Sequence, residues 1–390
     1  MKTMRTTAGL LILGAASLAC SGRYEAGGMD AVAGNSAGGT QSVGGTAAGG
    51  AAAGSNSAVA GDAMVGFGGT NSAGTGMPVD EFGPQCVPSG APVPLTGAFA
   101  KPAVVWSRLA MLIWGKPGPF PSPLPAATTY AWAGDLVTQG FADANETLGS
   151  APGARLFVAQ WLNLGVGLGE DPNFTAKYDV LLPSEMPALP VLLQTPLDDL
   201  GRRMGVFTEP PWLALHTTIT SRGEAMLLNV LQQQVPPPPP SIVNPERDPS
   251  LPDREALQQM LANPVCAGCH QLMDPVGYAL GHFAADGSFR TLDHDAPIDT
   301  TGQISFGPES VTFDGIKRFG AVVANRCQPN LALADGFLKV AINLAGFPQE
   351  QWEPLFAANV DRVRQAFIAG GRSYPALVKA FAQSPAVLRP

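Results

Sequence analysis

Apolar residues recur along this chain at helical rather than strand spacing. Trp106, Leu109, Ala110 and Ile113 fall at i, i+3, i+4 and i+7, one face of a helix. The run Gly115-Lys116-Pro117-Gly118-Pro119 then supplies the residues that stop it. Phe157, Trp161 and Leu164 repeat the spacing, with Gly165 and Gly167 to end it. Phe356, Val360, Val363 and Phe367 form a third stripe closed by Gly370-Gly371, and Leu377, Val378 and Phe381 mark a short last helix. Residues 253–261 read as a further short helix with Asp253 as N-cap, ended by Asn263-Pro264. Few stretches alternate as strands do, so the expected fold class is mainly α. The aromatic stripes are core positions and carry no cofactor role.

The polar pattern divides the chain. Residues 26–77 are almost entirely Gly, Ala, Ser, Thr and Asn. Such a stretch buries too little apolar surface to offset its ordering entropy, so a disordered Gly/Ala/Ser-rich tether is expected over residues 21–80. Ahead of it, Lys2 and Arg5 precede Leu10-Leu11-Ile12-Leu13-Gly14-Ala15-Ala16, an apolar run too short to span a membrane. That is the layout of a secretory signal peptide. Its end, Ser17-Leu18-Ala19-Cys20, resembles the lipobox of bacterial lipoproteins, with Ser17 where leucine is usual. Cys20 is then the lipidated residue and the protein is exported and held to a membrane; an ordinary signal peptide giving a soluble exported protein is the alternative. Further on, Val235 leads into five consecutive prolines, residues 236–240, an extended polyproline II strut. The expected organisation is a signal peptide over 1–20, the tether, a helical block over 81–235, a proline-rich connector over 236–252 and a second block over 253–390.

Composition narrows the function classes. Only 14% of the 390 residues are charged, against about 25% in an average protein, and the net charge is -8 with no basic cluster, so no nucleic-acid footprint exists. Five cysteines are present: Cys20, Cys86, Cys266, Cys269 and Cys327. Lipidation claims the first, and the Cys-x-x-Cys-His motif at Cys266 and Cys269 claims two more. Cys86 and Cys327 remain, and in an exported protein they pair as a disulfide; two independent buried thiols are the alternative.

Cys266-Ala267-Gly268-Cys269-His270 is the attachment signature of a c-type haem. Each thiol adds to a haem vinyl group as a thioether, and the adjacent imidazole ligates the iron. On a helix Cys266, Cys269 and His270 stand at i, i+3 and i+4, on one face. Half of a zinc site is a competing reading, but His282, His294 and Cys327 downstream form no second pair at zinc-ligand spacing. A thioredoxin-like redox pair is another, but no βαβ pattern surrounds the motif.

The following segment, Met273-Asp274-Pro275-Val276-Gly277 and then Asp286-Gly287-Ser288-Phe289-Arg290, carries a resemblance. It is similar to large exported bacterial cytochrome-c-like proteins assembled from domains of unknown function (the DUF 1592/1588/1585 group, in the circle of planctomycete-type cytochromes c). Arg203-Met204-Gly205-Val206-Phe207-Thr208, Ser221-Arg222-Gly223, Arg108 to Gly115, Phe313-Asp314-Gly315 and Ser384-Pro385-Ala386-Val387 add to it. The chain lacks the family's Arg-Arg-Leu module and resembles a shortened, divergent member. The resemblance implies that residues 253–390 form a cytochrome-c-like helical haem block holding one covalent haem c.

The iron's second axial position is the open question, because a Met or His there gives electron transfer while a vacant one permits small-molecule chemistry. Met273 lies one turn from His270, on the same side, where it packs at the haem edge. No methionine follows it. The remaining candidates are His216 first, then His282, with His294, Met226 and Met260 behind. The Pro275 carbonyl is a candidate acceptor for the His270 Nδ1–H. With no acid–base constellation in view, a single-electron carrier serving a redox partner protein is favoured over a catalytic oxidoreductase. A haem enzyme acting on a small substrate, and an interaction protein with structural haem, are the alternatives.

Overall fold

The computed structural model describes residue 86 and residues 92–117, 123–164, 174–235 and 248–390. The expected signal peptide with Cys20, the tether, Gly118, Pro119, Gly165, Gly167 and the proline run lie outside the described residues.

The fold is mainly α. In chain order the first half supplies α1 (Pro102–Trp114), α2 (Tyr130–Leu148), α3 (Pro152–Trp161), α4 (Lys177–Leu181), α5 (Ala188–Gln194), α6 (Pro210–Leu215) and α7 (Ile219–Leu231). The second half supplies α8 (Asp253–Met260), α9 (Pro264–Gly277), β1 (Leu292–Asp293), β2 (Ala296–Pro297), β3 (Thr301–Phe306), β4 (Glu309–Asp314), α10 (Gly315–Val323), α11 (Cys327–Leu344), α12 (Trp352–Ala369), α13 (Tyr374–Ala382) and α14 (Pro385–Leu388).

Local chemistry sets the boundaries. Pro102 opens α1, where its missing N–H costs nothing, and Gly115 closes it in the left-handed region (φ 66°), its N–H bonding the Met111 carbonyl. The stripe that predicted this helix is its buried face. The second stripe is shorter than expected: α3 ends at Trp161, and Asn163 turns left-handed (φ 56°) before the buried Leu164. Asp253 is not an N-cap. Pro252 holds that position, and the Asp253 N–H donates to Asp293 Oδ2 at 2.7 Å, a partner 40 residues away that local patterning could not name.

The two blocks expected on either side of the proline connector share one core. Phe157 of α3 packs on Phe337 of α11 and Tyr374 of α13, with ring centroids 5.5 and 5.4 Å away. The Tyr374 hydroxyl donates to the Leu112 carbonyl of α1 at 3.0 Å. Gly336 of α11 leaves room for the Trp161 indole, which a Cβ would meet at 2.7 Å. Arg108 of α1 donates to the carbonyls of Ala386, Val387 and Arg389 at the C-terminus. A disulfide joins Cys86 to Cys327, the first residue of α11, with 5.9 Å between Cα atoms.

Strand content is small: β1 pairs with β2, and β3 with β4, both antiparallel. In the larger hairpin Thr301 faces Asp314 and Phe306 faces Glu309, with Gly307 in the left-handed region at the turn. Alternation along β3 is faint, because Ile304 alone of its six residues is buried.

Candidate functional site

The site is built where α9 lies against α7. Asn263 caps α9 by accepting the Val265 N–H at 3.0 Å, and Pro264 occupies the first turn. Asn263-Pro264 therefore starts the helix that carries the Cys-x-x-Cys-His motif. At the other helix, Thr218 and Ser221 form a reciprocal capping box that fixes the start of α7.

Two glycines set the distance between these helices. A Cβ on Gly223 of α7 would stand 1.9 Å from the Met273 carbonyl oxygen, and one on Gly277 of α9 would stand 2.0 Å from the Ile219 carbonyl oxygen. The pairing of 223 with 273 and of 219 with 277 makes the helices antiparallel. Arg222, almost fully buried, then locks the pair to the chain beyond α9. Its guanidinium donates to the carbonyls of His216, Leu280, Phe283 and Ala284. Burial lowers its pKa to about 10, with the Arg290 charge adding to the effect, yet it stays a cation at neutral pH.

Cys266, Cys269 and His270 all lie on α9. Cys266 is buried, Cys269 half-buried, and neither is part of a disulfide. His270 is 5% exposed. Its Nδ1 lies 2.9 Å from Asp274 Oδ2, and Asp274 Oδ1 accepts from the Thr220 hydroxyl of α7 at 2.8 Å. Asp274 is itself 2% exposed. A carboxylate only accepts, so in the neutral imidazole Nδ1 carries the proton and Nε2 carries the lone pair. The residues form a chain, Thr220 to Asp274 to His270, that fixes the ring's tautomer and orientation.

Asp274 replaces the acceptor expected from sequence. The Pro275 carbonyl faces β3 instead, where a Cβ on Gly302 would stand 2.0 Å from its oxygen. Helix geometry gives the reason: a side chain at i+4 shares the face of residue i, whereas a carbonyl points along the axis. The signal was present, as His270 and Asp274 stand four apart. Thr220, 54 residues away, had no such signal.

Met273 is fully buried, with its carbonyl against α7. The candidate second ligands are scattered. His216 follows α6, three residues before Ile219, and so stands beyond the level of Gly277 rather than that of His270. Its ring lies 4.6 Å from that of Trp212, and burial, with the Arg222 charge, lowers its pKa to about 4. His282 Nδ1 donates to the Arg290 carbonyl at 2.9 Å, its ring packed on Phe289. His294 uses Nε2 to donate to the Pro249 carbonyl at 2.9 Å. Met260 packs with Ile219, Leu257 and Tyr278. Met226 is fully buried on α7, one turn from Gly223 toward the level of His270. Among the described residues, no group of three or more His, Cys, Asp or Glu side chains is arranged to hold a metal ion.

A cavity of about 880 Å³ opens on the opposite side of α9, between Gln271, Leu272 and Pro275, the β3–β4 hairpin and Arg318; Cys266, Cys269 and His270 do not line it.

No curated protein and no solved structure matches the chain. One family model does, over residues 203–293, the span that runs from Arg203 through Arg222, Gly223 and the Cys-x-x-Cys-His motif to Asp293. Over residues 203–293, from the turn before α6 to β1, the chain is similar to PSCyt3, a protein family of unknown function (DUF1588).

Proposed function

We propose that this protein is an exported, membrane-tethered monohaem c-type cytochrome that takes single electrons from a reduced redox protein and passes them to an oxidised one. The observation that carries this reading is His270, buried on the same helix as two cysteine thiols and held through Nδ1 by Asp274. These residues fit covalent haem. Cys266 and Cys269 are the thiols for the two thioethers, and His270 keeps its Nε2 lone pair for the iron. When bound, the haem supplies a one-electron ferric/ferrous couple whose potential its ligands and surroundings tune.

The chain's own residues do the positioning. Asp274 holds the imidazole in one tautomer, and α7 supports Asp274 through Thr220. Gly223 and Gly277 keep the two helices close enough for that bond. Export is supported by the Cys86–Cys327 disulfide, since disulfides persist in oxidising compartments. No helix among the described residues is long and apolar enough to cross a membrane, so the tether is assigned to lipidated Cys20.

The test is to produce the full chain in a bacterial periplasm with haem-maturation machinery and record its visible spectrum. A covalently bound, low-spin, six-coordinate haem supports the carrier. A high-spin haem that binds carbon monoxide would replace the carrier with an enzyme acting on a small substrate. Recovery of the folded chain without covalent haem would overturn both.

A further inference from the structure

The structure assigns Asp274 a further role: it sets the reduction potential of the bound group through His270, with Thr220 moderating its charge. This rests on the reading above, in which His270 would ligate the haem iron. Asp274 is a positioning residue, since it acts through the imidazole.

Three observations carry the assignment. The acceptor for Nδ1–H is a carboxylate rather than a backbone carbonyl, at 2.9 Å. A full negative charge there draws the proton more strongly than a peptide dipole does, leaving more electron density on the ring and at Nε2. Next, the carboxylate is 2% exposed, so water does little to screen it from the ring. Finally, among the described residues no Lys or Arg forms an ion pair with Asp274; the charge is answered only by His270 and by the Thr220 hydroxyl at 2.8 Å. Its field is therefore directed at the imidazole. A more electron-rich ligand favours the ferric over the ferrous state, so Asp274 lowers the potential and Thr220, by sharing the carboxylate's charge, raises it.

Opposite signs follow for two substitutions. Asp274→Asn keeps an acceptor of the same shape but removes the charge. Thr220→Val keeps the shape of α7 but leaves the whole charge to His270. Equilibrium redox titration of the haem-loaded full chain reads both. Asp274→Asn is expected to shift the ferric/ferrous balance toward ferrous by tenfold or more, about 59 mV for one electron, in line with the ten- to hundredfold effects of groups that hold metal ligands. Thr220→Val is expected to shift it the other way, by a smaller factor. A structural role alone would lower the melting temperature in both variants without opposed shifts.

Matching potentials in wild type and Asp274→Asn, with covalent haem and unchanged coordination in the spectrum, would overturn the assignment and leave the cytochrome reading standing. If Asp274→Asn fails to fold, Thr220→Val decides: a shift toward ferrous, or none, overturns it. Failure of the wild-type chain to take up haem would remove both the assignment and the reading beneath it.

Discussion

Arg222 and Glu209 show what a single buried charge does here. Arg222 is 1% exposed and its guanidinium donates to four backbone carbonyls, those of His216, Leu280, Phe283 and Ala284. Arg222→Met fills the space but takes the donor from the His216 and Phe283 carbonyls and leaves those of Leu280 and Ala284 with only the Phe283 and Gly287 N–H groups, so it should cost about 3 kcal/mol, read as a lower midpoint in urea. Arg222→Lys should recover little, because an ammonium lacks the planar fork. Glu209, also 1% exposed, accepts the Thr175 N–H through Oε2 at 3.4 Å, and Oε1 finds no partner among the described residues. Burial raises its pKa to about 7, against the opposing pull of the Thr175 N–H, Arg203 and Lys177. A carboxyl whose pKa is raised by folding adds stability below its unfolded value, and that stability is lost as pH rises through about 7. Glu209→Gln should therefore be the more stable form at pH 8, by about 3 kcal/mol at most, and should flatten the decline in unfolding free energy between pH 5 and 8.

Between elements, the α7–α9 contact decides whether the site exists. Carbonyl oxygens occupy the places where Cβ atoms on Gly223 and Gly277 would sit, and backbone cannot swing aside as a flexible side chain can. Gly223→Ala must push α9 away from α7, at a cost of about 3 kcal/mol, and it lengthens the Thr220–Asp274 bond. The expected outcome is a lowered melting temperature together with reduced covalent haem uptake, measured by thermal unfolding and by the visible absorbance of purified protein. Gly268 is the control for folding: it stands on the same helix with open space around its Cβ position, and Gly268→Ala should leave the melting temperature near wild type.

For the whole molecule, the long-range tie is Cys86–Cys327, which spans 241 residues. Closing so long a loop removes much of the unfolded chain's freedom, so replacing both cysteines with serine should cost about 2–5 kcal/mol. Thermal unfolding with and without reductant checks this: reductant should destabilise the wild type and leave the double-serine variant unchanged. The shared core makes a second point at this scale. Because α1 and α3 pack on α11 and α13, residues before and after the proline run should unfold in one transition, not two.

Features that depend on local spacing were legible from the sequence. The mainly helical character followed from apolar period, the end of α1 from Gly115, and the Cys-x-x-Cys-His motif from five consecutive residues. Asp274 too was within reach, four residues from His270, and was passed over for a carbonyl one position further. The other features depend on groups far apart in the chain, which only the folded chain brings together. Thr220 meets Asp274 across 54 residues, Asp293 serves the N–H of Asp253 across 40, and a glycine on each of two helices permits their contact. The hairpin of β3 and β4 stayed hidden because one buried residue in β3 is too weak a pattern. The sequence ranks the candidate second ligands, His216 first, but does not place them in space. The fold alone separated them, placing His216 beyond the end of α9 and Met226 toward the level of His270, because antiparallel packing fixes which residues of α7 and α9 stand side by side.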